Sequence, residues 1–162
     1  NLDSVGGMNN NYYLYYDEIS QKFTLLMWDA NESLGKLGGR NQSPSYDLYY
    51  QGQQGGFMRM GGGSNILMKR FLANPTFTAL YEEKLETIYQ QIYASGALST
   101  QVETYAAMVR QANQERNLVN SASYEQAVSD VLKFISQRNN YLATTPLLGT
   151  LTKQSTDGSN TP

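Results

Sequence analysis

Residues 11–29 read Asn-Tyr-Tyr-Leu-Tyr-Tyr-Asp-Glu-Ile-Ser-Gln-Lys-Phe-Thr-Leu-Leu-Met-Trp-Asp. Two β-prone runs, Tyr12 to Tyr16 and Phe23 to Trp28, flank a polar stretch. That pattern predicts an antiparallel hairpin with a longer-than-minimal loop. A turn centred between Ile19 and Ser20 sets Tyr16 opposite Phe23 and Asn11 opposite Trp28, with Asp29 next in the chain. Bulky side chains stand on both faces of both strands, which predicts cover on two sides. A lone hairpin is marginal in water, so this one needs a helical body to pack on. Trp28, inside an apolar strand, reads as core.

Working outward, the region 64–145 is helical by period. Ile66, Leu67, Phe71 and Leu72 give one apolar side to a short helix between Ser64 and Ala73. Asn74-Pro75 restarts the chain as an N-cap followed by a first helical position. Phe77, Leu80, Tyr81, Leu85, Ile88 and Ile92 recur at three- and four-residue steps, one stripe of an amphipathic helix. Ser95-Gly96 closes that helix, and Ser99 or Thr100 caps the next, with Val102, Tyr105, Ala106, Val109 and Ala112 inward. Ser123 opens the last helix in a capping box with Gln126. Its stripe is Ala127, Val128, Val131, Leu132, Ile135 and Leu142. The fold class is therefore mainly α (α+β), a β-hairpin near the N-terminus on a helical body.

The intervening segment 36–63 holds most of the glycines, set among Tyr46, Tyr49, Tyr50 and Phe57. Neither helical nor alternating period survives there, and it reads as a loop. A loop of that length is usually functional or mobile. Residues 149–162 have nothing with which to bury a face and read as a tail or linker, which sets the domain at 1–148.

A length of 162 residues suits one ordinary domain, and 40% hydrophobic with 16% charged residues is a globular composition. The formal net charge of −2 gives no electrostatic case for nucleic acid. No apolar run reaches the roughly 18 residues of a membrane span. The chain has no cysteine, hence no disulfide and no thiolate metal site, and no histidine. Ser-His-Asp hydrolysis and HExxH metal chemistry are excluded with it. Any chemistry must run on carboxylates, amides, hydroxyls, Lys or Arg.

The hairpin ends are where such groups meet. Opposed residues on antiparallel strands lie about 4.5–5.5 Å apart at Cα, so Asn11 and Asp29 can converge on one hard cation. Magnesium takes oxygen ligands at about 2.1 Å and keeps positions open for phosphate oxygens. Asp3 stands upstream in a loop containing Gly6-Gly7. Loop Asp, then Asn, two short strands and a second Asp is the order in which protein kinases place a base and two metal ligands. Here the gap between Asp3 and Asn11 is longer than in that signature, and Asp-Phe-Gly is missing. Plainer roles fit the same residues. Asp29 with Glu32 is a helix-capping pattern, Asn11 sits in a run of three Asn at a strand edge, and Asp3 suits a turn.

At Asn11–Tyr15, Lys22–Gly35 and Leu67–Phe77 the chain resembles the CotH family, spore-coat protein H and its relatives, which are atypical kinase-like proteins. The Trp28-Asp29-x-Asn31 sequence before Gly35 is the most specific piece, and Phe134-Ile135-x-x-Arg138 also fits. The resemblance implies the C-terminal lobe of a protein-kinase-like fold, ATP and Mg2+ as cofactors, and Ser or Thr of proteins as acceptors. It assigns Asp3 as catalytic and Asn11 and Asp29 as metal ligands. Asn31 falls where many relatives carry a second acidic residue, giving the metal a neutral ligand. By this resemblance residues 1–35 hold the catalytic loop and hairpin, and 1–148 is the C-terminal portion of the kinase-like domain. No Lys here suits the phosphate-contacting role, so the remaining N-terminal part of the same domain is an expected partner. The polypeptide alone is expected to be nearly inactive. The implied setting is exported, at a cell surface or spore coat. The competing expectation is a noncatalytic structural or interaction module of a coat or surface. Carbohydrate binding through exposed Tyr or Trp28 ranks behind both.

Overall fold

The structure, a computed structural model, describes residues 11–31, 33–37, 40–49 and 66–149. Tyr12–Asp17 (β1) pairs antiparallel with Lys22–Met27 (β2). Tyr16 faces Phe23 as the turn length requires, and Trp28 N donates to the Asn11 carbonyl at 3.2 Å, extending the same register by one pair. The turn is held by Asp17, whose Oδ1 accepts from Ile19 N at 3.0 Å and whose Oδ2 accepts from the Ser20 hydroxyl at 2.6 Å. Those bonds hold the Asp17 carboxyl below its ordinary pKa. Gln21 closes the turn at φ 52°, the left-handed region. Ring pairs then join the strands: Tyr16 lies 4.9 Å from Phe23, and Tyr13 stacks on Trp28 at 5.9 Å. Each such pair contributes about 0.5–1.5 kcal/mol beyond burial.

The hairpin's faces are not covered as expected. Tyr13 is 60% exposed, Phe23 71% and Trp28 48%. Alternation along a strand fixes which side chains share a face, but not whether anything lies against that face. A second, two-residue ribbon, Lys36–Leu37 (β3) with Arg40–Asn41 (β4), forms within the segment expected to be a loop. Gly35 before it is buried at φ 81°, where a Cβ would be strained. Residues 1–10, 32, 38–39, 50–65 and 150–162, which carry Asp3, most of the glycine-rich segment and the tail after Gly149, lie outside the described residues.

Ile66–Leu72 (α1) and Pro75–Ile88 (α2) follow. Asn74 caps α2 as predicted: its Oδ1 accepts from Thr76 N at 3.0 Å and Phe77 N at 3.4 Å. Pro75 takes the first helical position, where no backbone donor is needed. The joint is closed by Phe71 stacked on Phe77 at 5.2 Å and by the Thr78 hydroxyl donating to the Leu72 carbonyl at 2.9 Å. Asn74→Ala should therefore destabilise the protein by about 1 kcal/mol, measured as a lower urea midpoint with an unchanged slope. Asn74→Ser should recover most of that loss.

The chain divides into two compact units, residues 1–79 and 80–162. In the second, α2 continues into a π-helical segment, Tyr89–Ala94, before Ala97–Arg116 (α3) and Ser121–Thr144 (α4). The π segment corrects the expected stripe. Its wider turn breaks the 3.6-residue period, so Ile92 stays 38% exposed while Tyr89, outside the stripe, is buried at 2%. The α-helical part of the stripe is no better covered, with Phe77 45%, Leu80 47% and Ile88 48% exposed. Burial pushes the Tyr89 phenol pKa up.

Both remaining helix starts also move. Gly96 at φ 75° caps α3, with Ser95 Oγ accepting from Ala97 N at 3.2 Å, so neither Ser99 nor Thr100 serves. Asn120 caps α4 by accepting from Ser123 N at 2.9 Å, and Gln126 pairs with Asp130 instead of closing a capping box. Val128, Ile135 and Leu142, one every second turn of α4, enter the core with Ala106 of α3. Ala127 and Tyr105 face outward. Among the described residues, every buried hydrophobic belongs to this second unit.

α3 and α4 run antiparallel, as Asn113 to Ser121 and Arg110 to Glu125 show. Arg110 grips Glu125 with two bonds, 2.8 and 2.7 Å, and reaches Glu103 at 3.3 Å. The guanidinium holds the Glu125 carboxyl below its ordinary pKa. A carboxyl depressed on folding stabilises above its unfolded pKa, and that contribution is lost as pH falls through the folded one. The groups are exposed, so the effect is small. Wild-type protein should lose thermal stability below about pH 4.5 more steeply than Arg110→Met, in melts followed at 222 nm.

Candidate functional site

The mouth of the hairpin brings two of the four expected residues together. Asn11 is 6% exposed, the one buried polar side chain among the described residues. Its Nδ2 donates to the Asp29 main-chain carbonyl at 3.4 Å, across the last pair of the ladder. Asn11 stands at φ 54° and Asp29 at φ 48°. Both therefore hold left-handed backbone, which Asn and Asp tolerate better than other side-chain-bearing residues. The hairpin ends there because its two terminal residues leave extended conformation.

The chain after Asp29 bears on its capping role. No helix follows it in the described residues; Ala30 accepts from the Ser33 amide at 3.2 Å and the Ser33 hydroxyl at 2.6 Å, and the chain then enters β3. The capping role is thus overturned, because Ser33 closes a turn around Ala30. The Asp29 side chain is exposed at the surface. Asn31, two residues on, is exposed in that turn, and no hydrogen bond among the described residues ties it to Asn11 or Asp29. Asp3 lies outside the described residues.

One feature of the site was missed by reading Trp28 as core. The register puts Tyr13, Leu26 and Trp28 on one face. There Tyr13 and Trp28 stack with planes 23° apart, both open to solvent. The pairing of Asn11 with Trp28 already contained this signal. An aromatic platform therefore adjoins the polar hairpin mouth.

As a donor set the mouth is hard and weakly charged. With the Asn11 nitrogen donating to the Asp29 carbonyl, the amide oxygen is the atom of that side chain with the chemistry of a cation ligand. Asp29 adds a carboxylate, and no group of three or more acidic, His or Cys residues occurs among the described residues. Oxygen donors of this kind fit Mg2+, which retains waters or phosphate oxygens in its remaining positions.

A family profile described as CotH kinase protein matches residues 1–142. The chain belongs to the CotH kinase family. No curated protein and no solved structure matches it. Within this CotH kinase chain the profile spans the hairpin, α1 to α3 and nearly all of α4. The hairpin mouth and the helical unit thus belong to one family unit of sequence.

Proposed function

We propose that this CotH kinase chain carries the metal-holding part of a protein kinase that transfers phosphate from ATP to Ser or Thr of coat or surface proteins. The observation that carries the reading is the bonded Asn11–Asp29 pair at the hairpin mouth, next to the stacked Tyr13–Trp28 face. Asp29, with the amide oxygens of Asn11 and Asn31, would hold Mg2+. When bound, the ion neutralises charge on the transferring phosphate. Tyr13 and Trp28 offer π-faces on which a flat base can stack. By family resemblance Asp3 takes the acceptor hydroxyl proton as the new P–O bond forms and the bond to ADP breaks. The exported, coat or surface setting belongs to the same proposal.

Trp28 is the chain's sole tryptophan and so reports on its own site. ATP should quench its fluorescence, and EDTA should reverse most of the quench. Fluorescence indifferent to ATP and Mg2+ together would remove the nucleotide reading. The open, aromatic hairpin faces favour a second reading, a noncatalytic interaction module, since such residues are enriched at interfaces. Surface assembly that persists in Asp29→Asn while ATP fails to bind the wild type would select it.

A further inference from the structure

An open groove of about 650 Å³ lies on the second unit, lined by Ser99, Thr100, Glu103, Thr104 and Leu132. The first four are spaced to share one face of α3, and Leu132 of α4 supplies an apolar floor. The polar lining has a direction. Thr100 Oγ1 donates to the Gly96 carbonyl at 3.2 Å, and Thr104 Oγ1 to the Thr100 carbonyl at 2.9 Å. With their protons committed, both hydroxyls present lone pairs. Glu103 is an acceptor too. Its Oε2 receives Arg110 Nη1 at 3.3 Å, the longest of that guanidinium's three bonds. The groove thus offers acceptors, one of them charged, above a hydrocarbon surface.

We propose that this groove binds a lysine side chain of a partner protein. The ammonium has three donors and no acceptor, matching Glu103 and the two threonine oxygens. The methylene stem lies along Leu132, as lysine stems do on apolar surface. A phosphate or carboxylate would meet acceptors instead of donors. Arginine fits less well, because its fork pairs best with both oxygens of a carboxylate, and Glu103 already shares Oε2 with Arg110. The positive end of the α3 dipole fades within the first turn; Glu103 and Thr104 stand in the second, where a full carboxylate charge prevails. The net charge of −2 also favours a basic partner. The proposal is independent of the phosphotransfer reading.

Titrating the 15N-labelled chain with Nα-acetyl-lysine methylamide should move the amide resonances of residues 99–104 and 132. Glu103→Gln should weaken binding about tenfold and Thr104→Val about fivefold. Glu115→Gln, about 18 Å further along α3 from Glu103, should leave it unchanged. The Nε-acetylated probe keeps the stem without the charge and should not bind. Equal binding of that probe, tighter binding of the arginine analogue, or an equal loss in Glu115→Gln would overturn the assignment. Thr104→Val leaves the Glu103–Arg110 contact in place, so unchanged binding there overturns it even if Glu103→Gln fails to fold.

Discussion

On the proposed reading, Asp29→Asn should lower Mg2+-dependent phosphoryl transfer by about 10²–10³-fold, a loss of about 2.7–4 kcal/mol of transition-state stabilisation. Asn is the informative substitution because Asp29 stands at φ 48°. Asn tolerates that backbone, whereas Ala would add a conformational cost of about 1–2 kcal/mol. The change therefore removes one negative charge and little else. Phosphate charge has to be neutralised during transfer, and in the proposed donor set, otherwise made of amides, Asp29 is the formal charge. Asn31→Ala should cost less than tenfold, about 1.4 kcal/mol, since a neutral ligand can be replaced by water. Asn11→Leu should be worse than Asn31→Ala, because it removes an oxygen donor and the bond to the Asp29 carbonyl and adds the left-handed backbone cost at φ 54°. Transfer undiminished in Asp29→Asn, with Mg2+ dependence intact, would take Asp29 out of the site.

What made this site legible was geometry that depends on few variables. The loop length between Tyr16 and Phe23 fixes the register, and the register alone carries Asn11 to Trp28 and Asp29. The Asn74-Pro75 start was equally readable, since cap and first-position proline are local chemistry. Elsewhere local signals competed. Gly96 in left-handed backbone pre-empted Ser99 and Thr100, and the Asn120 amide pre-empted Ser123. A π turn has no simple residue signature, so Tyr89 could not be placed in the core from a 3.6-residue period. Trp28 failed for a different reason. Hydrophobicity says that a side chain gains from burial, not that a covering surface is present. The exposed hairpin is thus consistent with the site reading: rings left open beside a polar mouth are available to a ligand.

Leu148→Ala should be the most destabilising single substitution in the helical unit, at about 2–5 kcal/mol, with the melting temperature falling on the order of 10 °C. The sequence puts Leu148 at the edge of the expected tail, after Pro146, where the helical pattern stops. The structure makes it the most deeply buried side chain among the described residues, at 1% exposure. The turn responsible is built on Thr145. Its hydroxyl donates to the Leu142 carbonyl at 2.7 Å, its amide reaches the same carbonyl at 3.1 Å, and its own carbonyl accepts from Gly149 N at 2.8 Å. These bonds fold the chain back after α4 and seat Leu148 in the core to which Leu142 and Ile135 contribute. Gly149 belongs to the device, since a Cβ there would stand 2.5 Å from the Ala143 carbonyl oxygen. Gly149→Ala should therefore cost about 1–3 kcal/mol through backbone displacement, while Leu118→Ala at a 63% exposed position should stay within about 0.5 kcal/mol of wild type. Chemical denaturation of the three variants separates the cases. A Leu148→Ala midpoint matching that of Leu118→Ala would show that residues 145–149 stand outside the core. A large loss would place the end of the folded unit beyond residue 142, where the family match stops.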